Sequence, residues 1–181
     1  TVGAAELFQE HVRWARAHAG VDRPVEAHAN DPDPERRLRV GYVSPDFRSH
    51  PVVYFLEPLL TLHDRRRFEI VGYGNVAAPD NVTERLQTRC DTFVNVFAMT
   101  DEQFAQRVRD DNIDILIDLA GHTAHHRLTA FAHKPAPVQI SYLGYQHNTG
   151  LAAMDYRITD DITDPPGSAP GSCGSCEGGA A

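Results

Sequence analysis

Residues 113–119 read Ile113-Asp114-Ile115-Leu116-Ile117-Asp118-Leu119, a nearly continuous apolar run. A run of this length and composition predicts a β-strand that is buried on both faces, as a strand inside a parallel sheet is. Parallel strands need long crossover connections, and these usually contain a helix. The run therefore indicates an α/β fold.

Five other segments have the composition of strands, and they alternate with segments of helical pattern. The predicted strands cover residues 38–43, 68–73, 92–97, 138–143 and 156–159. Helices are predicted over residues 4–19, 52–62, 83–90, 100–109 and 127–132. Pro58 should kink or split the second helix, and Thr100 with Gln103 has the pattern of a capping box at the fourth. This alternation predicts a doubly wound α/β sheet.

Composition excludes several classes of protein. The chain has 181 residues, of which 41% are hydrophobic, so it suits one ordinary domain with extensions. Its formal net charge of −8 argues against nonspecific binding to nucleic acid or an anionic membrane. No apolar run approaches the roughly 20 residues of a membrane helix, and no secretion signal is visible. With 3 cysteines the chain has no disulfide framework, so a reducing cytoplasm is expected.

Three polar loops follow predicted strands, at residues 44–51, 120–127 and 144–150. In a doubly wound sheet, ligands bind beyond the carboxyl ends of the strands. These loops are therefore the candidate binding regions. The third contains glycines and Asn148, which allow close approach of a ligand, but the same residues suit an ordinary turn equally well.

His50 is the leading candidate for chemistry in the first loop. An imidazole with a pKa near ~6.5 accepts a hydroxyl proton at neutral pH. Asp46 and Ser44 precede it and are placed to orient it. Taken on spacing alone, a loop histidine bonded to the backbone is the commoner situation.

Two clusters invite a metal interpretation. The second loop has His122, His125 and His126 close to Asp118. Adjacent histidines point apart, which disfavours one shared ion, so no metal is predicted there. Cys173 and Cys176 have the CxxC spacing, but they lie in a Gly/Ser/Ala-rich tail without a second pair. A disordered tail is the favoured interpretation of residues 167–181.

Four segments, taken together, carry a family resemblance. They are 38–51 (LRVGYVSPDFRSHP), 113–123 (IDILIDLAGHT), 134–145 (KPAPVQISYLGY) and 154–160 (MDYRITD). They resemble the catalytic region of the protein O-GlcNAc transferases, including the SPINDLY-like members and their bacterial relatives. The resemblance covers about 130 residues.

The resemblance implies a Rossmann-like, N-terminal lobe of a GT-B glycosyltransferase, preceded by a helix. Enzymes of this family move N-acetylglucosamine from UDP-GlcNAc, or another sugar from its nucleotide, to protein hydroxyls, with no cofactor or metal expected. The histidine of their Asp-Phe-x-x-His-Pro motif lines the active site, and His50 matches it as catalytic residue. Gln146 stands where these enzymes usually have proline. The resemblance assigns substrate binding to Asp46, His122, Thr123, Leu143, Gly144, Tyr145 and Thr149.

The same resemblance predicts a division of the chain. Residues 1–37 are expected to be a helix and linker that join upstream tetratricopeptide repeats, and residues 38–166 the catalytic lobe. The expected partners are a nucleotide sugar, an acceptor protein or peptide, and a C-terminal lobe that this sequence lacks. The alternative hypothesis is a non-catalytic α/β module that binds a protein or a ligand.

Overall fold

Six parallel strands form a single sheet in the computed structural model, which describes residues 3–20 and 27–165. The order across the sheet is β3-β2-β1-β4-β5-β6. The chain adds β2 and β3 on one side of β1 and then crosses over to add β4, β5 and β6 on the other side. This confirms the predicted doubly wound, Rossmann-like sheet. The strands are β1 (Leu38–Ser44), β2 (Phe68–Gly74), β3 (Thr92–Asn95), β4 (Ile115–Asp118), β5 (Val138–Tyr142) and β6 (Tyr156–Ile158).

Five helices accompany the sheet in the described part of the chain. They are α1 (Ala4–His18), α2 (Val53–Leu62), α3 (Asn81–Gln87), α4 (Asp101–Asp110) and α5 (Leu128–Ala132). Pro58 does not split α2, which continues through it with the proline at an exposed position, while a kink there stays a prediction. The predicted start of α3 was wrong. α3 begins two residues earlier than predicted because Asp80 caps it.

The sheet is covered on both faces, and each face has its own apolar core. One core packs α2 and α3 against the sheet and contains Leu56, Leu60 and Leu86. The other packs α4 and α5 against the opposite face and contains Phe104 and Phe131, with Ala15 of α1 at its border. Burial of both faces explains why β4 reads as a continuous apolar run.

The segment before β1 is irregular but anchored. Residues 27–37 contain no helix or strand, as predicted for a linker, and residues 21–26 lie outside the described part of the chain. The carboxylate of Asp114, at the start of β4, accepts hydrogen bonds from Arg36 Nη1 (2.8 Å), Asn30 Nδ2 (2.7 Å) and the Arg39 amide (2.7 Å). Although burial opposes it, these donors lower the pKa of Asp114. The linker is thus tied to the amino end of the sheet.

The capping box of α4 offers a test of local stability. Thr100 Oγ1 accepts from the Gln103 amide at 3.2 Å, and Gln103 Oε1 accepts from the Thr100 amide at 2.9 Å. We expect Thr100→Ala to lower the free energy of unfolding by about 1 kcal/mol, because the Gln103 amide at the helix start loses its acceptor and the capping box is broken. Urea denaturation measures it. Thr100→Ser, which keeps the hydroxyl, is the control, and equal stability of the Ala variant would show that the box does not stabilise α4.

Candidate active site

An open cleft of about 370 Å³ lies beyond the carboxyl ends of β1, β2, β3 and β4. Its position follows from the topology, since β1 and β4 are neighbours whose connections leave on opposite faces of the sheet. We call it the His50 cleft. Its lining comes from four loops and comprises Pro45, Asp46, Arg48, His50, Asn75, Ala77, Ala78, Phe97, Thr123, Ala124 and His125.

His50 lies at the rim of this cleft with 37% of its side chain exposed. Its Nδ1 is 3.3 Å from the Val52 amide, which donates to it, and 3.6 Å from Asp46 Oδ2. These two neighbours favour opposite protonation of Nδ1. With the amide as partner, the ring proton is on Nε2; with the carboxylate as partner, Nδ1 carries the proton and Nε2 is free to accept another. In the Nδ1–H form, the Nε2 atom of His50 carries the free lone pair of the ring.

Asp46 is held in place behind His50. Its amide donates to Ser44 Oγ at 2.9 Å, and Ser44 is fully buried at the end of β1. Arg48 Nη2 donates to Asp46 Oδ1 at 3.2 Å, which leaves Oδ2 directed to His50. The expectation that Ser44 and Asp46 orient His50 thus has a structural basis, with Ser44 acting on Asp46.

A second anchor fixes the backbone next to His50. The Ser49 amide donates to Asp80 Oδ2 at 2.7 Å, while Asp80 Oδ1 accepts from the Val82 and Thr83 amides at the start of α3. The amide of Ser49, followed by that of Thr83, lowers the pKa of Asp80. The carboxylate therefore remains charged and ties the β1 loop to α3.

The opposite wall of the cleft is formed by residues 123–125. The loop that carries them starts at Asp118, whose carboxylate is buried and accepts from the Ala120 amide (3.2 Å) and the Gly121 amide (2.7 Å). Burial raises the pKa of Asp118 to about 6, and the two amide donors oppose that rise. Asp118 thus shapes the turn after β4 without reaching the cleft.

A separate group of rings lies where α1 covers the loops after β4 and β5. We call His11, Trp14, His122, His126 and Tyr145 the α1 ring cluster. His11 stacks on His122 with ring centroids 4.4 Å apart, and Trp14 and His122 form an edge-to-face pair with ring centroids 4.8 Å apart. Tyr145 and His11 share a hydrogen bond of 2.8 Å between Oη and Nε2.

The third loop is built into this same packing. His122 Nε2 donates to the Thr149 carbonyl at 2.8 Å, and Thr149 itself is buried. Gly150 has φ +74°, and a Cβ there would lie 2.5 Å from the His11 carbonyl carbon, so only glycine permits α1 to approach this closely. α1 is therefore an integral cover of the loops after β4 and β5.

The structure divides the predicted site residues into two groups. Asp46, His50 and Thr123 line the His50 cleft together. Four others lie in or beside the packing under α1, namely His122, Gly144, Tyr145 and Thr149, while Leu143 packs against the core of α2 and α3. Substrate binding by these five residues stays a prediction.

Several residues that line the cleft were not predicted from the sequence. Asn75 directly follows β2 and Phe97 follows β3, so the rule that identified the other loops would also have found these two. Phe97 contributes an aromatic side chain, 47% exposed, to the lining of the cleft. His125 was assigned no role, but it lines the same cleft. His11 and Trp14 had no local signal, because their partners lie more than 100 residues away in the chain.

A second cavity, of about 320 Å³, lies on the other side of His50. It is formed between the starts of α2 and α3, and Pro51, Tyr54 and Val82 give it an apolar side. The Arg85 guanidinium, paired with Glu57 at 3.0 Å, gives it a charged one. The His50 ring is thus accessible from two sides.

No three His, Cys, Asp or Glu side chains come close enough to hold a metal ion within residues 3–20 and 27–165. His125 and His126 point apart, since His125 lines the cleft and His126 packs on Trp14. The CxxC of Cys173 and Cys176, together with the predicted disordered tail, lies outside the described residues.

The α1 ring cluster predicts a dependence of stability on pH. Burial lowers the pKa of His11, His122 and His126 below the usual value of about 6.5. The folded state then binds fewer protons than the unfolded state, so its stability is complete above about pH 6.5 and declines as the pH falls below that value. We expect the thermal midpoint to decrease on acidification from about pH 7.5 to 5.5.

The contribution of the cluster is isolated by two variants. His122→Gln removes one buried imidazole and should reduce the decrease of the melting temperature, measured by circular dichroism. His18→Gln, at an exposed position of α1, should leave the pH dependence of the melting temperature unchanged. A pH dependence that is the same in all three proteins would contradict this assignment.

Comparison with known proteins shows the family to which this chain is similar. The profile of glycosyl transferase family 41 matches residues 18–170. A probable UDP-N-acetylglucosamine–peptide N-acetylglucosaminyltransferase SPINDLY of Arabidopsis thaliana is 39% identical over 165 residues, which are 89% of this chain and 18% of that protein. The UDP-N-acetylglucosamine–peptide N-acetylglucosaminyltransferase of Caenorhabditis elegans is 37% identical over 132 residues, 72% of this chain and 12% of that protein.

A solved structure is similar as well. That of an O-GlcNAc transferase mutant from Thermobaculum terrenum superposes with a TM-score of 0.87 at 45% identity, covering 92% of this chain and 32% of that one. The chain therefore spans about a fifth of the length of the curated SPINDLY relatives it matches. In the described part of the chain, none of the helices has the length and apolar character needed to cross a membrane.

Proposed function

Since the chain belongs to glycosyl transferase family 41, we propose that it is the N-terminal, Rossmann-like lobe of an enzyme that transfers N-acetylglucosamine from UDP-GlcNAc to Ser or Thr hydroxyls of proteins. The observation that carries the proposal is the placement of His50. Its ring is accessible from the cleft, its Nδ1 faces Asp46 at 3.6 Å, and its loop is anchored at Ser49.

The reaction requires a proton acceptor beside the attacking hydroxyl. In the proposed step, the acceptor oxygen attacks the anomeric carbon, the bond from that carbon to the diphosphate oxygen breaks, and the hydroxyl proton moves to His50 Nε2. Asp46 stabilises the resulting imidazolium through Nδ1–H, as a carboxylate behind a histidine does in other enzymes. A hydroxyl with a pKa far above 7 gains most from a base placed in hydrogen-bond reach.

The remaining requirement is stabilisation of the leaving diphosphate. Arg48 is the cationic side chain of the cleft lining, and it is already paired with Asp46. We therefore assign the leaving group to a second, donor-binding lobe. Exposed apolar side chains on α2 support a further packing partner, because Tyr54 (83% exposed), Phe55 (60%) and Leu62 (80%) lie uncovered.

Other assignments follow from the positions of the residues. Asp46 and Thr123 line the cleft and are proposed to contact substrate directly. The residues packed under α1, with Tyr145 at their centre, are proposed to shape the sugar and acceptor pocket from behind. α1 and the linker are proposed to join tetratricopeptide repeats to the lobe. A cytoplasmic location without nucleic-acid or membrane partners is part of the same proposal.

The proposal is tested by assaying transfer to a pool of Ser- and Thr-containing peptides. The protein is the full-length gene product that carries this chain, and parallel reactions contain labelled UDP-GlcNAc, UDP-glucose or GDP-fucose. We expect label on peptide hydroxyls with UDP-GlcNAc. Label only with another donor would correct the sugar, and no transfer from any donor, together with peptide binding, would support a non-catalytic binding module instead.

A further inference from the structure

Arg127, at the start of α5, contacts three other segments around the His50 cleft without lining the cleft itself. Its Nη1 donates to Asp101 Oδ1 at 2.8 Å, at the start of α4. Its Nη2 donates to the Val96 carbonyl at 2.7 Å, after β3, and to Asn75 Oδ1 at 3.1 Å, after β2. Only 11% of the Arg127 side chain is exposed, so these contacts are shielded from water.

Asn75 passes this connection into the cleft. It lines the cleft, it is buried, and its backbone amide donates to the Ser44 carbonyl at 2.8 Å. With Oδ1 turned to the guanidinium, its Nδ2 donates to the His125 carbonyl at 2.8 Å. The two ends of one side-chain amide therefore join Arg127 to the far wall of the cleft.

The backbone that receives this bond needs it. His125 has φ +59°, in the left-handed region, which is unfavourable for a residue with a side chain. A hydrogen bond to its carbonyl from a buried donor is comparable in size to that strain and offsets it. The conformation of the wall at Thr123 and His125 therefore depends on an interaction made from outside the loop.

We propose that Arg127 is a positioning residue: through the Asn75 amide it fixes the backbone of His125 and so preforms the cleft wall that, with His50, receives the substrates. The effect on turnover rests on the proposed function, but the effect on the loop does not. Lysine cannot replace Arg127, because a single ammonium lacks the fork that reaches Asp101, Asn75 and Val96 at once.

The experiment measures amide hydrogen exchange of residues 121–126 by NMR in this chain. Arg127→Lys should accelerate exchange of these amides about tenfold, the equivalent of one lost hydrogen bond. Arg109→Lys is the control, because Arg109 also clamps backbone, donating to the His133 carbonyl at 2.6 Å, but away from the cleft. Unchanged exchange at residues 121–126 in Arg127→Lys would overturn the proposal.

A second variant separates positioning from general stability. Asn75→Asp keeps an acceptor for Arg127 and adds a charge to that pair, but it removes the donor to His125. We expect its melting temperature to fall less than that of Arg127→Lys, while residues 121–126 exchange at least as fast. If loop exchange instead follows global stability in every variant, Arg127 is only structural and the proposal fails.

A measurement of turnover completes the test. In the full-length protein, Arg127→Lys should lower kcat/KM about tenfold, with Arg109→Lys close to wild type. Absence of transfer by the wild-type protein would count against the proposed function, and the exchange data would still decide the role of Arg127.

Discussion

Replacing His50 by alanine is expected to lower the rate of sugar transfer about 10²–10⁴-fold, the usual contribution of a positioned proton acceptor. The folded state should lose little. The ring is partly exposed, and its one hydrogen bond to the described residues is the 3.3 Å contact with the Val52 amide. We therefore expect a decrease in the free energy of unfolding of no more than about 1 kcal/mol.

The measurement compares kcat and the thermal midpoint of the full-length protein with and without the change. His18→Ala, in an exposed position on α1, controls for the loss of a histidine as such. Asp46→Asn should also lower kcat, because an amide does not stabilise an imidazolium as a carboxylate does and can favour the wrong tautomer of His50. Turnover equal to wild type in His50→Ala, with normal melting, would remove His50 from the proposed mechanism.

Replacing Gly144 by alanine is expected to destabilise the folded state by about 3 kcal/mol or more. A Cβ at this position would lie 1.8 Å from the Leu119 carbonyl oxygen and 3.3 Å from Ala120 Cα. Backbone atoms at the ends of two neighbouring strands cannot move aside as a side chain would, so the loop after β5 must leave its position. The α1 ring cluster, which includes the adjacent Tyr145, would then lose its support.

Urea denaturation with tryptophan fluorescence measures this change, since Trp14, the one tryptophan, lies in that cluster. Gly3→Ala is the matched control. A Cβ at Gly3 meets nothing within 4 Å, and the change affects only the start of α1, where we expect about 1 kcal/mol or less. Similar stability of the two variants would show that Gly144 is not held as closely to Leu119 as the structure has it.

Elements that depend on interactions between residues close in sequence could be predicted best. β4 and the capping box of α4 were predictable because apolar continuity and the Thr100–Gln103 spacing are local signals. The start of α3 was predicted two residues too late, although Asp80 is a local capping signal as well. Whether Pro58 splits α2 could not be decided from the sequence, because the exposed position of Pro58 on the helix depends on the fold.

The candidate site was predictable in its position and only in part in its composition. The rule of strand ends located the loop of His50 and that of Thr123. It could not show that His122 and Tyr145 turn away from the cleft, because α1, which covers them, joins the lobe through side chains far apart in sequence. Nor could it identify Arg127, whose partners Asn75, Val96 and Asp101 come from three separate segments.

The close seating of α1 has a consequence for whatever precedes it. Because Gly150 and the stacked His11 and His122 rings fix the rotation of α1, a helical segment joined rigidly to its first turn has a set direction relative to His50. Each residue inserted at that joint would rotate such a segment by about 100° and advance it by about 1.5 Å. A series of one- to four-residue insertions ahead of Ala4 should therefore change the choice of acceptor periodically, returning near the original at about four residues, while the affinity for the sugar donor stays constant.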